Sequence, residues 1–205
     1  MSDSGPLTLE DIADQRAYER ERDQFRKKVI AVKKRRRIGV GPVITLLFES
    51  RLTVRFQIQE MARAERMATD RQIQHELDVY NRLLPLSGDL SATLFVELTD
   101  DAAMHTWLPR LVGIESAVQL RIGEGSDQLT VGSVPESEHE AALTRDEITS
   151  AVHYVRFPVG GAHADALRDG PATLLIDHPG YPEGRPGTLL TDETREELAG
   201  DLTAG

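Results

Sequence analysis

The sequence contains no cysteine, a single tryptophan and an aromatic share of only 5%. Without cysteine, the chain can form no disulfide, no thiolate nucleophile and no cysteine-ligated zinc or iron–sulphur cluster. No uninterrupted apolar run approaches the roughly 18 residues that a membrane helix needs. Residues 1–10 also lack the basic segment and apolar core of a secretion signal. We therefore expect a cytoplasmic protein without a membrane partner.

Motifs for nucleotide binding and nucleophilic hydrolysis are also missing. The glycines at Gly39 and Gly41 have neither the spacing nor the lysine of a phosphate-binding loop, and no Gly-x-Ser-x-Gly motif occurs. What remains is ordinary globular composition, with 40% hydrophobic and 28% charged residues in 205. We expect one α+β domain over residues 1–180, followed at 181–205 by an irregular segment and a C-terminal helix that packs on it.

Charge is distributed unevenly along the chain. Residues 1–100 carry 17 Lys+Arg against 16 Asp+Glu, whereas residues 101–205 carry 7 against 18. The whole chain has a net charge of −10 and a pI near 5.1, whereas a dedicated nucleic-acid-binding domain usually has a pI above about 9. We therefore expect no dominant affinity for nucleic acid, and the acidic half could fold over basic residues of the first half.

The basic residues that stand out form one run. All four lysines lie between residues 27 and 34, and eight cations fall within residues 26–37. This run is either a surface that binds an anion or an acidic partner, or a solvated helix end whose cations suit the negative end of the helix dipole. The candidate binding residues are Lys27, Lys28, Lys33, Lys34, Arg35, Arg36 and Arg37.

Periodicity and breakers predict a mixture of helices and strands without steady βαβ alternation. Helices are expected from Thr8 to just before Gly39 and at residues 58–67, 71–84, 101–112 with an interruption at Pro109, 162–168 and 191–202. Strands are expected at residues 43–48, 52–58, 91–98, 117–122, 128–134, 149–157 and 172–176, with hairpin turns at 49–51 and 123–125. The pattern favours an α+β fold, a single domain with a largely antiparallel mixed sheet and packed helices.

A loose collection of potential metal ligands lies on two consecutive predicted helices. Carboxylates with a histidine could hold iron, manganese or zinc, although the spacing departs from the Glu-x-x-His and His-Glu-x-x-His motifs. Ion pairing with nearby arginines is the ordinary alternative. No cofactor is expected beyond a divalent metal at this cluster, whose candidate ligands are Glu60, Glu65, His75 and Glu76.

The six histidines are scattered through the sequence. His153 lies in an otherwise apolar predicted strand, where a core or half-buried histidine with satisfied hydrogen bonds is the expected arrangement. The segment from His178 to Gly187 is rich in proline and glycine, so it is expected to be irregular.

Several motifs together resemble an uncharacterised bacterial family known only as a domain of unknown function. They are VIAVKKRRR at 29–37, GPVITLLFE at 41–49, FQIQEM at 56–61 followed by Arg63 and Glu65, HELDVYN at 75–81, LSATL at 90–94 and VHYVRF at 152–157. The resemblance extends over roughly residues 7–180. Genes of that family often neighbour rubrerythrin-like and iron–sulphur oxidoreductase genes, which implies a supporting role in peroxide or redox metabolism.

Two classes of function follow from these observations. The favoured hypothesis is a non-catalytic accessory protein of a redox or oxidative-stress system, whose basic helix end docks an acidic partner or an anion. The missing cysteines fit an accessory subunit better than an electron carrier. The competing hypothesis is a metal-dependent enzyme that uses the Glu/His cluster. Nucleic-acid binding is a weaker third hypothesis, because no aromatic residues are interleaved with the cations to stack on bases.

Overall fold

Nine strands form two antiparallel sheets in the computed structural model, which describes residues 5–136, 148–181 and 187–203. The first sheet has the order β1 (Arg37–Val40), β2 (Ile44–Phe48), β3 (Asp89–Val96), β7 (Val152–Pro158) and β6 (Val134–Pro135). The second has the order β5 (Leu129–Gly132), β4 (Val118–Ile122), β8 (Ala172–Ile176) and β9 (Thr188–Leu189). The predicted α+β class and the antiparallel pairing are confirmed.

The described residues form six α-helices around these sheets. They are α1 (Gln15–Arg36), α2 (Arg51–Ala64), α3 (Asp70–Tyr80), α4 (Asp101–Trp107), α5 (Ala164–Asp169) and α6 (Asp192–Thr203). Short 3-10 turns extend some of them, as at Leu108–Leu111 after α4, where Pro109 interrupts the helix as expected. Within the described ranges, no helix is long and apolar enough to cross a membrane.

The main hydrophobic core draws residues from both sheets. All five residues of β2 are buried, because this strand lies inside the first sheet between β1 and β3. Leu94 of β3, Leu120 of β4 and Leu174 of β8 are fully buried in the same cluster, and so is Leu198 of α6. Helix α6 is thereby fixed to the core.

A second, smaller core lies between helices α2 and α3. It joins Val54 and Ile58 of α2 to Leu77 of α3, with Leu7 from the N-terminal segment and Leu83 from the turn after α3. Helix α3 begins where the sequence predicts, because the Thr69 hydroxyl accepts a hydrogen bond from the Gln72 N–H.

One predicted strand is wrong. Residues 52–58 were expected to pair in a hairpin with a turn at 49–51, yet they belong to α2. Ser50 caps this helix: its hydroxyl accepts from the Thr53 N–H at 3.3 Å, and the Thr53 hydroxyl accepts from the Ser50 N–H at 2.8 Å. The alternating apolar pattern led to the wrong prediction for this segment. Val54 and Ile58 stand four residues apart, and residues at this spacing also share one face of a helix.

The opening helix is also shorter than expected at both ends. Thr8 precedes a 3-10 turn at Leu9–Asp11, and α1 starts separately at Gln15, where the Asp14 carboxylate accepts from the Ala17 N–H at 2.9 Å. At its other end the chain enters β1 directly after Arg36. The hairpin of this region is therefore β1–β2, and it turns at Gly41, whose φ of +72° suits glycine.

Two expectations fall partly on residues outside the described ranges. His139 lies in 137–147, and half of the segment from His178 to Gly187 lies in 182–186. His153 is buried as expected, with its Nε2 atom 2.9 Å from the Thr149 hydroxyl and 3.0 Å from the Ser150 carbonyl oxygen.

Candidate docking surface on helix α1

Helix α1 has one buried side and one broad exposed side. Tyr18 and Val29 are buried, because their spacing of 11 residues brings both onto the stripe that faces the rest of the protein. Lys27, Ile30 and Lys34 are three or four residues apart in succession, so they form a stripe on the exposed side. The basic run is therefore split among different directions around one helix.

Arg36 points into the protein and is only 4% exposed. Its guanidinium group donates to both carboxylate oxygens of Asp201, at 2.6 and 2.9 Å, and to Glu197 at 3.1 Å. It also donates to the carbonyl oxygen of Glu49 at 3.2 Å. A buried charge is retained when paired and hydrogen-bonded in this way, so Arg36 joins α1 to α6.

The pKa values in this cluster follow from burial and pairing. Burial opposes the positive charge of Arg36, yet the hydrogen bonds to Asp201 and Glu197 raise its pKa above the usual value. Burial raises the pKa of Asp201 in spite of the opposing effect of Arg36. For Glu197, burial is outweighed by the hydrogen bonds from Arg35 and Arg36, which lower the pKa.

The flanking arginines are also paired within the chain. Arg35 binds the Glu197 carboxylate at 2.5 and 2.7 Å. Arg37 forms an ion pair with Glu97, and its guanidinium carbon lies 5.2 Å from the centre of the Phe95 ring. Arg35, Arg36 and Arg37, three of the expected docking residues, thus have intrachain partners.

The lysines differ from these arginines. Among the residues that the structure describes, no carboxylate lies within ion-pair distance of Lys27, Lys28, Lys33 or Lys34. The Lys33 ammonium group lies 5.7 Å from the centre of the Phe56 ring and is half-buried. Of the three exposed lysines, Lys27 and Lys34 share the exposed stripe and are called the lysine face below, whereas Lys28 points about 100° farther round the helix.

A groove of about 560 Å³ adjoins the lysine face. Lys34 and Ala31 of α1 line one side, and Glu193 at the start of α6 lines the same groove. Leu189 of β9 also lines it and is exposed. Because Arg35 and Arg37 are already paired, Lys34 is the lining cation with no carboxylate partner in the described part of the chain.

The candidate metal ligands on α2 and α3 do not form one site. Arg22 donates two hydrogen bonds of 2.8 Å to the carboxylate of Glu60, and the Tyr18 hydroxyl donates a third at 2.5 Å. The hydrogen bond from Arg22 is the main reason that the pKa of Glu60 falls to about 2. This carboxylate is therefore occupied in an ion-pair network.

The other candidate ligands lie on or near α3. Burial raises the pKa of Glu76, and the nearby charge of Glu65 raises it further, while His75 partly opposes the shift. Within residues 5–136, 148–181 and 187–203, no three His, Asp or Glu side chains are grouped so as to hold a metal ion. The metal site stays a prediction without geometric support.

Sequence reasoning missed two features of this region. It treated the basic run as uniform, although Arg36 stands seven residues after the buried Val29 and so shares its stripe. It also assigned no role to Glu49, whose buried carboxylate accepts from the Thr53 hydroxyl at 2.5 Å and the Thr93 hydroxyl at 2.6 Å. These bonds join the start of α2 to the central strand β3.

The structure is thus that of an antiparallel α+β protein. Its longest described helix, α1, carries the exposed lysine face. The chain matches, over residues 6–202, the family described as Protein of unknown function (DUF3501), and it belongs to that family. The resemblance to a domain of unknown function is thereby confirmed, while the redox gene neighbourhood stays a prediction.

A solved structure has the same fold. It is the crystal structure of a novel protein of unknown function from Burkholderia pseudomallei K96243, which is 38% identical to this chain. The match covers 97% of this chain and 100% of that one, with a TM-score of 0.85. No curated protein matches the chain.

Proposed function

We propose that this protein is a non-catalytic accessory component of a bacterial redox or oxidative-stress system. In this proposal the lysine face of α1 docks an acidic partner protein, or an anion that this partner carries. The partners we expect are a rubrerythrin-like protein or an iron–sulphur oxidoreductase, which are the proteins implied by the family resemblance of the sequence motifs.

The division of the basic run is the observation that carries the proposal. Arg35, Arg36 and Arg37 are matched by carboxylates of the same chain, and the pairs that Arg35 and Arg36 form with α6 hold the end of α1 in place. Lys27 and Lys34 stand on the exposed side of that fixed helix without an ion-pair partner among the described residues. A chain of net charge −10 that keeps such lysines together offers a local attraction for a negative surface.

The cations of the lysine face are ammonium groups rather than guanidinium groups. This favours reversible docking of a partner over tight binding of an anion. A lysine ammonium group is a compact, strongly hydrated point charge, whereas arginine offers the fork that binds carboxylate or phosphate in two places. Arg35 and Arg36, which have that capacity, are already bonded within the chain. The lysine face should therefore give reversible, salt-sensitive association, because exposed charges are screened over about 8 Å at physiological ionic strength.

The proposal is tested by affinity capture from native extract with three versions of the protein. These are the wild type, the charge reversal K27E/K34E and the control R16E/R20E. Arg16 and Arg20 are exposed on the same stripe of α1 nearer its start, so the control changes the net charge equally outside the lysine face. Circular dichroism and thermal melting establish that each version is folded.

We expect the wild type and R16E/R20E to retain an acidic redox protein at low salt. K27E/K34E should not retain it, and high salt should release it from the other two. Recovery of no redox protein at either salt concentration would count against the proposal, as would equal recovery by K27E/K34E. The alternative of a metal-dependent enzyme is tested separately by elemental analysis of protein purified without an affinity tag. A stoichiometric metal content would support that alternative.

A further inference from the structure

Two exposed apolar side chains flank Lys34. Ile30 stands four residues before Lys34 on the same side of α1 and is 56% exposed. Leu189 lines the same groove as Lys34 and is 64% exposed. They are two of the three most exposed large hydrophobic side chains in the described part of the chain. Leu189 shares the groove with Lys34, whereas Ile30 stands outside the groove lining, one helical turn before Lys34 on α1.

The groove itself is suited to an apolar side chain. Its lining includes the buried side chains of Ile38 and Leu190 together with Ala31, and no aromatic residue is among the described residues that line it. Protein interfaces typically combine apolar contacts with a charged rim. Single-stranded nucleic acid would instead call for aromatic side chains that stack on bases.

The charges on the two sides of the groove differ, so they orient a bound acidic segment. Lys34 on the α1 side lacks a carboxylate partner within the described residues, whereas Glu193 lines the groove from the start of α6. An incoming carboxylate is attracted toward Lys34 and repelled by Glu193. A bound segment therefore places its acidic residues along α1 and its apolar residues toward Leu189.

We propose that the ligand of the lysine face is an acidic polypeptide segment that packs apolar side chains against Leu189 in the groove and against Ile30 on the neighbouring stripe of α1. This inference rests on the proposed function, because it specifies the partner chemistry of the same surface. Two kinds of contact then contribute to the affinity, and they can be tested separately. The lysines attract the acidic segment, and Ile30 and Leu189 favour a polypeptide over a simple polyanion.

The test uses three fluorescent probes of equal charge: a short glutamate-rich peptide with leucines, the same peptide with glutamine in place of leucine, and a single-stranded oligonucleotide. Fluorescence anisotropy gives the affinity of each for the wild-type protein and for I30Q/L189Q. The control is Leu86→Gln, because Leu86 is 58% exposed, close to the exposure of Ile30, and does not line the groove.

We expect the leucine peptide to bind the wild type about tenfold more tightly than the glutamine peptide, because leucine side chains leave water on binding. This preference should disappear in I30Q/L189Q and persist in the Leu86→Gln protein. Equal, lysine-dependent binding of both peptides would overturn the inference and leave the proposed function standing. Preferential binding of the oligonucleotide would overturn the inference in favour of nucleic acid, and binding of no probe would count against both proposals.

Discussion

Arg36 and Asp201 form a two-bond ion pair beneath the surface, with nitrogen–oxygen distances of 2.6 and 2.9 Å, across 165 residues of sequence. The pair fixes the end of α1 against α6. Because the neighbouring lysines extend from the same helix, this buried contact and the burial of Tyr18 and Val29 together fix the direction in which the lysine face points.

The first prediction concerns that pair. Arg36→Leu leaves the mostly buried carboxylate of Asp201 without its cation, which should lower the free energy of unfolding by about 3–5 kcal/mol. Arg35→Leu is the control, since the Arg35 side chain is 37% exposed and its pairing with Glu197 should contribute about 1 kcal/mol or less. Urea denaturation measures both. Equal losses in the two variants would show that Arg36 is no more structural than its exposed neighbour.

A second prediction concerns the pH dependence of stability at Glu60. Its pKa in the folded protein is about 2, below the ordinary value of 4.5, chiefly because of the hydrogen bond from Arg22. A carboxyl group with a lowered pKa stabilises the fold fully above its unfolded pKa, and this contribution is lost as pH falls through the folded pKa. The relevant window therefore lies between pH 4.5 and about 2.

Glu60→Gln should accordingly destabilise the protein near neutral pH by about 1–2 kcal/mol, after allowance for solvent screening of a partly exposed pair. The difference from the wild type should shrink as the pH is lowered through that window. Denaturant titrations at a series of pH values measure it. A difference that stays constant down to the acid end would contradict the assigned ion pair.

The third prediction concerns the β1–β2 turn. Gly41 has a φ of +72°, and a Cβ atom there would lie 2.5 Å from the Tyr181 hydroxyl oxygen. Gly41→Ala should cost about 2–4 kcal/mol through backbone strain and displacement of the tyrosine ring. Gly39→Ala is the control, because no atom lies within 4 Å of its Cβ position and its φ is not positive. Thermal unfolding that ranks the two variants equally would refute this account of the turn.

Local signals explain which elements could be predicted from the sequence. Helix α3 was found because Thr69 caps its start and Pro85 ends the 3-10 turn that continues it. Strand β8 was found from its run of mostly apolar residues. The first half of α2 was missed, although a helix was expected from residue 58 onward, because Val54 and Ile58 satisfy both a strand and a helix period. Contact with Leu77 of α3 in the smaller core favours the helix, and that contact is not visible in local sequence.

The candidate site was predictable only in part, for a similar reason. The basic run marks the segment, but the partners of Arg36 are on α6, more than 160 residues later. Which cations are paired and which stay exposed is therefore a property of the tertiary fold. Leu189 became part of the site in the same way, because folding brings β9 beside the end of α1.

The most direct test of the central claim is the affinity of the leucine-free acidic peptide for the wild type, K27E/K34E, K27Q/K34Q and R16E/R20E over a range of salt concentrations. The account predicts binding that weakens with salt in the wild type and in R16E/R20E. It also predicts that charge removal in K27Q/K34Q lowers the affinity by about tenfold or more and that charge reversal in K27E/K34E lowers it further. Equal, salt-dependent binding by all four proteins would show that the lysine face is not the docking surface.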